Sequence, residues 1–315
     1  MEHLRDFLTL LKGVIDSPDI PLNVSRSYLQ SDANVKKISA HVTKKVADKL
    51  EELFKKDRKD FEAKWEDIKM FIEYGMLSED KFYEKAQKFA LLKNTDGNMF
   101  TLEEYASKVK PSQTDKDKRV VYLYTSNISD QHSYIETAKE KGYDVLVLDT
   151  PIDSHFINFM EQKLESTSLV RVDADTIDRL IKKDEDMPSK LTEEQQNALK
   201  PIFEENVAKE KYTVVLENLS ETDSPVLITQ PEFIRRMKDM SAMGGGGMAF
   251  MGMSEMYNLV VNANHPLITK ILSDKNTDNQ KRLAKQAIDL ALLSQGLLKG
   301  EELTKFVKRS VEMIG

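Results

Sequence analysis

Arg26 lies in the stretch Leu22-Asn23-Val24-Ser25-Arg26-Ser27-Tyr28-Leu29-Gln30, just after Pro18 and Pro21. A guanidinium is permanently charged and presents its N–H groups as a planar fork. An arginine on a proline-framed loop can therefore grip a phosphate and stabilise charge during phosphoryl transfer. Taken alone, it is a weak signal, since a lone loop arginine is most often an ordinary solvated cation. A second feature is apolar. Met237, Met240, Met243, Met248, Met251, Met253 and Met256 place seven of the chain's fourteen methionines within twenty residues. Phe233, Ile234, Ala249 and Phe250 add apolar surface, and Gly244 to Gly247 interrupt it. Each glycine costs a helix up to about 1 kcal/mol relative to alanine, so a buried core helix accounts poorly for this stretch. Unbranched, polarizable methionines repack against differing partners, which suits a promiscuous binding surface. A core stripe beside a loop is the plainer account.

Other chemistries find little support. The apolar runs Val120 to Tyr124, Val145 to Leu148 and Leu169 to Val172 alternate with helical segments, which predicts a small parallel sheet. Such sheets often bind nucleotides at a glycine-rich turn after the first strand. Here that turn is Thr125-Ser126-Asn127-Ile128, without glycine, and no Walker A sequence exists. A small-molecule or nucleotide-binding enzyme built on this βαβαβ unit is the alternative reading. The histidines His3, His41, His132, His155 and His265 form no i, i+4 pair, so no metal site is expected. No Gly-x-Ser-x-Gly elbow occurs. With no cysteine, disulfides, thiolate chemistry and iron–sulfur clusters drop out.

The elements that must carry these residues are mostly legible. At 315 residues the chain has room for two or three domains, and 40% apolar with 31% charged residues describes a core under a charged surface. A net charge of −7 argues against nucleic acid as a partner. No run of 18 apolar residues is present, so no membrane association is expected. Acids stand near Met1 where a signal peptide needs bases, and a cytoplasmic protein is expected. Helical spacing links Val35, Ile38, Val42, Val46, Leu50, Leu53 and Phe54, with Asp32 as a cap, and then Phe61, Trp65, Ile68 and Ile72 in a second long helix ending near Gly75. Thr101 with Glu104 and Thr192 with Gln195 spell capping boxes. Gly142 closes a helix begun near Ser133. Strands are predicted at Tyr212 to Leu216 and Val226 to Thr229, joined by a polar turn, and at Tyr257 to Val261. Two closing helices follow. Leu283, Ala284, Ala287, Ile288, Ala291 and Leu292 form one stripe, and Leu303, Phe306, Val307, Val311 and Ile314 form another. Leu290, Leu293, Leu297 and Leu298 widen the apolar surface, and Gly296 and Gly300 bracket the turn of an αα-hairpin. Such a hairpin either completes a four-helix bundle with a symmetry mate or docks on its own domain.

These features, in this order, resemble the heat shock protein 90 family of chaperones, in its bacterial form. The resemblance rests on Gly13-Val14-Ile15-Asp16-Ser17-Pro18-Asp19-Ile20-Pro21-Leu22-Asn23-Val24-Ser25-Arg26, on Phe61 to Gly75 around Trp65, on Val120 to Thr125, on Asp223-Ser224-Pro225, and on the methionine stretch and closing helices. It implies a fragment: the rear of a middle domain and a C-terminal dimerisation domain, without the family's ATP-binding domain. The implied fold is multidomain, α/β and α+β. Residues 1–110 hold the catalytic loop and long connecting helices, 111–182 a small three-layer αβα domain, and 183–315 an α+β dimerisation domain. The resemblance gives Arg26 and Gln30 contacts to the γ-phosphate of ATP, with Mg, in the full-length protein; the fragment alone would hold no cofactor and hydrolyse nothing. Client binding is implied for Trp65, Phe233, Met237, Met240, Met243, Met248, Phe250, Met251 and Met253. The homodimer interface is implied for Leu283, Ala287, Ile288, Ala291, Leu292, Leu303, Phe306, Val307 and Val311. Unfolded or partly folded proteins are the expected partners. The ending Glu312-Met313-Ile314-Gly315 lacks the Met-Glu-Glu-Val-Asp motif that docks co-chaperones on eukaryotic members.

Overall fold

The computed structural model describes residues 33–183, 187–236 and 256–314, with side chains from Lys36 onward. In chain order its elements are α1 (Ala33–Lys56), α2 (Arg58–Ala63), α3 (Trp65–Ser78), α4 (Asp80–Ala86), β1 (Leu91–Lys93), β2 (Met99–Thr101), α5 (Leu102–Val109), β3 (Val120–Thr125), α6 (His132–Glu140), β4 (Val145–Val147), α7 (Asp153–Lys163), β5 (Thr167–Arg171), α8 (Ile177–Leu180), α9 (Glu193–Glu204), β6 (Tyr212–Glu217), β7 (Val226–Thr229), β8 (Tyr257–Asn262), α10 (Pro266–Ser273), α11 (Thr277–Ser294) and α12 (Gly300–Ile314). They fall into two compact units, one of residues up to 111 with 149–165, the other of 112–148 with 166–314.

In the first unit, α1 turns a narrow seam inward. Ser39, Thr43 and Ala47, at i, i+4 spacing, are the buried positions, flanked by half-buried Ile38, Val42, Val46, Leu50 and Phe54, while Leu53 is exposed. The single helix expected over Phe61 to Gly75 is two. Its backbone breaks at Lys64 (φ −99°, ψ −4°), where the N–H reaches only three residues back to Phe61. The break lets Phe61 pack edge-on to both Phe54 and Phe89, with centroids 5.5 and 6.2 Å away. β1 and β2 form a short antiparallel hairpin around Gly97 (φ +81°), where only a turn was legible. The Thr101–Glu104 capping box then opens α5 as predicted.

The second unit holds two three-stranded sheets. The first is all parallel, in the order β4-β3-β5, as its uninterrupted apolar strands predict. α6 covers one face, packing Tyr134, Ile135 and Ala138 on Val121, Leu123 and Val145. That helix ends in a Schellman motif: Gly142 N–H meets Lys139 C=O, and Tyr143 N–H meets Ala138 C=O. The second sheet is mixed, in the order β6-β8-β7. β6 and β7, expected as neighbours across a polar turn, are instead separated by β8, parallel to one and antiparallel to the other. Its core joins Val214, Ile228, Leu259 and Val261 to Leu199 and Phe203 of α9, Ile268 and Ile271 of α10, and Ala284 and Ile288 of α11. The closing helices form the predicted hairpin, with a second Schellman motif at Gly296 (φ +64°).

Candidate functional site

Arg26 and Gln30 lie outside the described residues, as do Met237, Met240, Met243, Met248, Phe250, Met251 and Met253. What the structure places is Trp65, Phe233 and the two terminal helices.

Trp65 opens α3 and is buried beside Phe61 in the core of the first unit. At 1% exposure its ring offers no open surface, so a client would meet it only where that core opens. Met70 and Tyr74, i and i+4 on the same helix, are the exposed apolar residues there. Large rings gain most from burial and so tend to be sealed.

Phe233 is different. It is 69% exposed, on a short helical stretch, residues 232–236, separated from β7 by two residues. Around it the stretch is pinned. Tyr124 of β3 donates its hydroxyl to Glu232 Oε1 at 3.1 Å, Arg235 donates to both that hydroxyl and Glu232 Oε1, and Arg235's guanidinium lies 5.6 Å over the Tyr124 ring. Arg236 donates to Glu232 Oε1 at 2.8 Å and to the Leu169 carbonyl of β5 at 2.7 Å. Burial alone would raise Glu232, but the hydrogen bonds and charges of Arg235 and Arg236 outweigh it and hold the carboxyl below its ordinary value. Burial pushes the Tyr124 phenol up, so it keeps the proton it donates. Nothing in the sequence pairs Tyr124 with residues more than a hundred positions away.

The terminal hairpin divides its apolar residues. Ala287, Ile288, Ala291, Leu292 and Phe306 are buried within their own chain, with Leu283 and Leu303 packed against the same core. An already buried side chain gains little further from a partner, so at these positions the stripe is first of all core of its own domain. Val307 (51% exposed) and Val311 (64%) keep an open face, alongside Ile314, Leu290 and Leu293. Beneath this face, buried Asp289 accepts from Lys285 at 2.8 Å and from Arg309, and Arg309 also donates to Gln286 at 2.7 Å. This polar clamp joins α11 to α12 and sets their register.

The loop after β3 speaks to the enzyme alternative. Gln131 Oε1 accepts from Thr125 Oγ1 at 2.6 Å, from the Ser126 N–H at 3.0 Å and from the Asn127 N–H at 3.4 Å. These are the donors a phosphate would need at this end of a parallel sheet, and the chain's own amide has taken them.

The family model described as Hsp90 protein matches residues 1–315. This chain belongs to the Hsp90 family. Among its relatives, the chaperone protein HtpG of Bacteroides fragilis (strain 638R) is 43% identical over 98% of this chain and 55% of its own length. HtpG of Porphyromonas gingivalis (strain ATCC 33277) is 44% identical over the same shares, and HtpG of Bdellovibrio bacteriovorus is 29% identical over 93% of this chain and 47% of its own. The chain spans about half the length of the curated relatives it matches.

Proposed function

We propose that this chain serves a homodimeric, ATP-dependent chaperone of the HtpG type, binding and remodelling unfolded or partly folded proteins in the cytoplasm. Membership of the Hsp90 family is the observation that carries this reading. Arg26 and Gln30 contact the γ-phosphate of ATP, with Mg, held by an ATP-binding domain of the complete protein. The 315-residue chain by itself turns over no ATP. Phe233 and the methionine-rich residues after it form the client surface. Residues 1–110, 111–182 and 183–315 act as three parts: catalytic loop with connecting helices, small αβα domain, and dimerisation domain.

The dimer forms through the open face of the terminal hairpin, centred on Val307 and Val311, rather than through the buried half of the stripe. Val307 and Val311 lie one turn apart with Ile314 beyond, the spacing of a helix face that a second helix covers. Sedimentation across a wide concentration range tests it. The unaltered chain is expected as a dimer and Val311→Asp as a folded monomer whose unfolding midpoint no longer depends on chain concentration. A monomer at every concentration, or a Val311→Asp dimer as tight as the parent, would overturn this face.

A further inference from the structure

The methionine-rich residues follow directly on a segment whose attachment is unusual. Leaving β7 of the mixed sheet, the chain passes around the carboxyl ends of the parallel sheet, a different sheet from the one it has left. On the face covered by α6, Tyr134 donates its hydroxyl to the Ile228 carbonyl. At the strand ends, the Gln230 N–H donates to the Asp173 carbonyl at 3.0 Å. Tyr124 alternates with Leu123 along β3, so it stands on the face opposite α6, and it receives Glu232 and Arg235 there. Arg236 closes the run on the Leu169 carbonyl of β5. The strap therefore touches both faces and one end of the parallel sheet within nine residues.

We propose that Tyr124, Glu232, Arg235 and Arg236 form a latch, a set of positioning residues that holds the root of the methionine-rich client surface on the parallel sheet. This rests on the client-binding reading above. Its physical content is preorganisation. A held root presents Phe233 without an ordering cost at each binding event, and affinity rises by the cost avoided. The latch is also all-or-none in character. Arg235 is 5% exposed, and a buried guanidinium that loses its carboxylate partner stays neither charged nor buried at low cost. Tyr124 is the part that can be trimmed gently, since its loss removes one hydroxyl and leaves the ring in place.

The test uses the absence of cysteine. A single Phe233→Cys carries a nitroxide whose spectrum reports motion of the root, in the otherwise unaltered chain and with Tyr124→Phe or Glu232→Gln added. Separately, unlabelled Tyr124→Phe and Glu232→Gln are titrated with reduced, carboxymethylated α-lactalbumin, a permanently unfolded protein, alongside thermal unfolding. We expect faster nitroxide motion in both variants, more in Glu232→Gln. For Tyr124→Phe, affinity for the unfolded protein should fall about fivefold, the equivalent of one ordinary hydrogen bond, with the unfolding midpoint little changed. Unchanged nitroxide motion in both variants overturns the latch whatever the affinities do. Faster motion with equal or tighter binding overturns its positioning role. If the unaltered chain fails to bind the unfolded protein, the client reading falls, while the spectra still decide whether the root is latched.

Discussion

Asp289 and Glu73 are both carboxylates shut away from water, at 0% and 1% exposure, in different units of the chain. Their company differs. Asp289 has a cation on each oxygen, Lys285 on Oδ1 and Arg309 on Oδ2. Glu73 has an Oε2 with no hydrogen-bond partner, and the charges around it are mixed: Asp153, Glu66 and Asp149 against Lys69. Lys69 is itself shared, 3.8 Å from Asp149 and 3.9 Å from Asp153. Burial is the main cause that pushes Glu73 up to about 8, and the negative neighbours add to it. Burial raises Asp153 as well. A buried acid is thus structural glue where cations meet it and a proton store where they do not.

The comparison can be broken most forcefully one residue away from Asp289. Ile288→Asp places a second acid in the same turn with no cation and no water, inside the core of the mixed sheet. It should cost more than about 4 kcal/mol and unfold that sheet, seen as a collapsed denaturation midpoint. If this variant stays folded, the buried half of the hairpin stripe has been misplaced. Next in size, Asp289→Ala takes the carboxylate from Arg309, while Lys285 keeps Glu302 at 3.6 Å, and should cost about 3 kcal/mol in urea unfolding. A loss under about 1 kcal/mol would mean the clamp is ornamental.

Glu73→Gln should act in the opposite sense. A carboxyl whose folded pKa lies above its unfolded value holds its proton better when folded. Its effect is absent below the unfolded value of about 4.5, and stability is lost as pH rises toward about 8, after which the loss is complete. The variant, which cannot ionise, should match the parent near pH 5 and exceed it by a few kcal/mol at pH 9, measured by denaturation at each pH. Equal slopes in parent and variant would move the proton store elsewhere, with Asp153 the first place to look.

How much of this was legible before folding differs by element. The capping boxes at Thr101 and Thr192 and the glycine stop at Gly142 were read directly, because each is settled within a few residues of chain. The parallel sheet was read from strands apolar on both faces, again a local property. The order β6-β8-β7 was not, since which strand lies between two others is a matter of long-range pairing. The sealing of Trp65 and the division of the hairpin stripe into a buried and an open half were not legible either, because helical spacing names a face and not what covers it. The latch at Tyr124 had no signal at all.

Local chemistry in this chain, then, determined where helices start and stop, which runs become strands, and, through its motifs, the family it belongs to. Tertiary structure alone decided which half of an apolar stripe is core and which is open, which buried acids meet cations, and which sheet holds the root of the methionine-rich segment. The division has one physical cause. Propensity and capping are energies of a few neighbouring residues, whereas burial and ion pairing are energies of position in space, set only when distant segments meet.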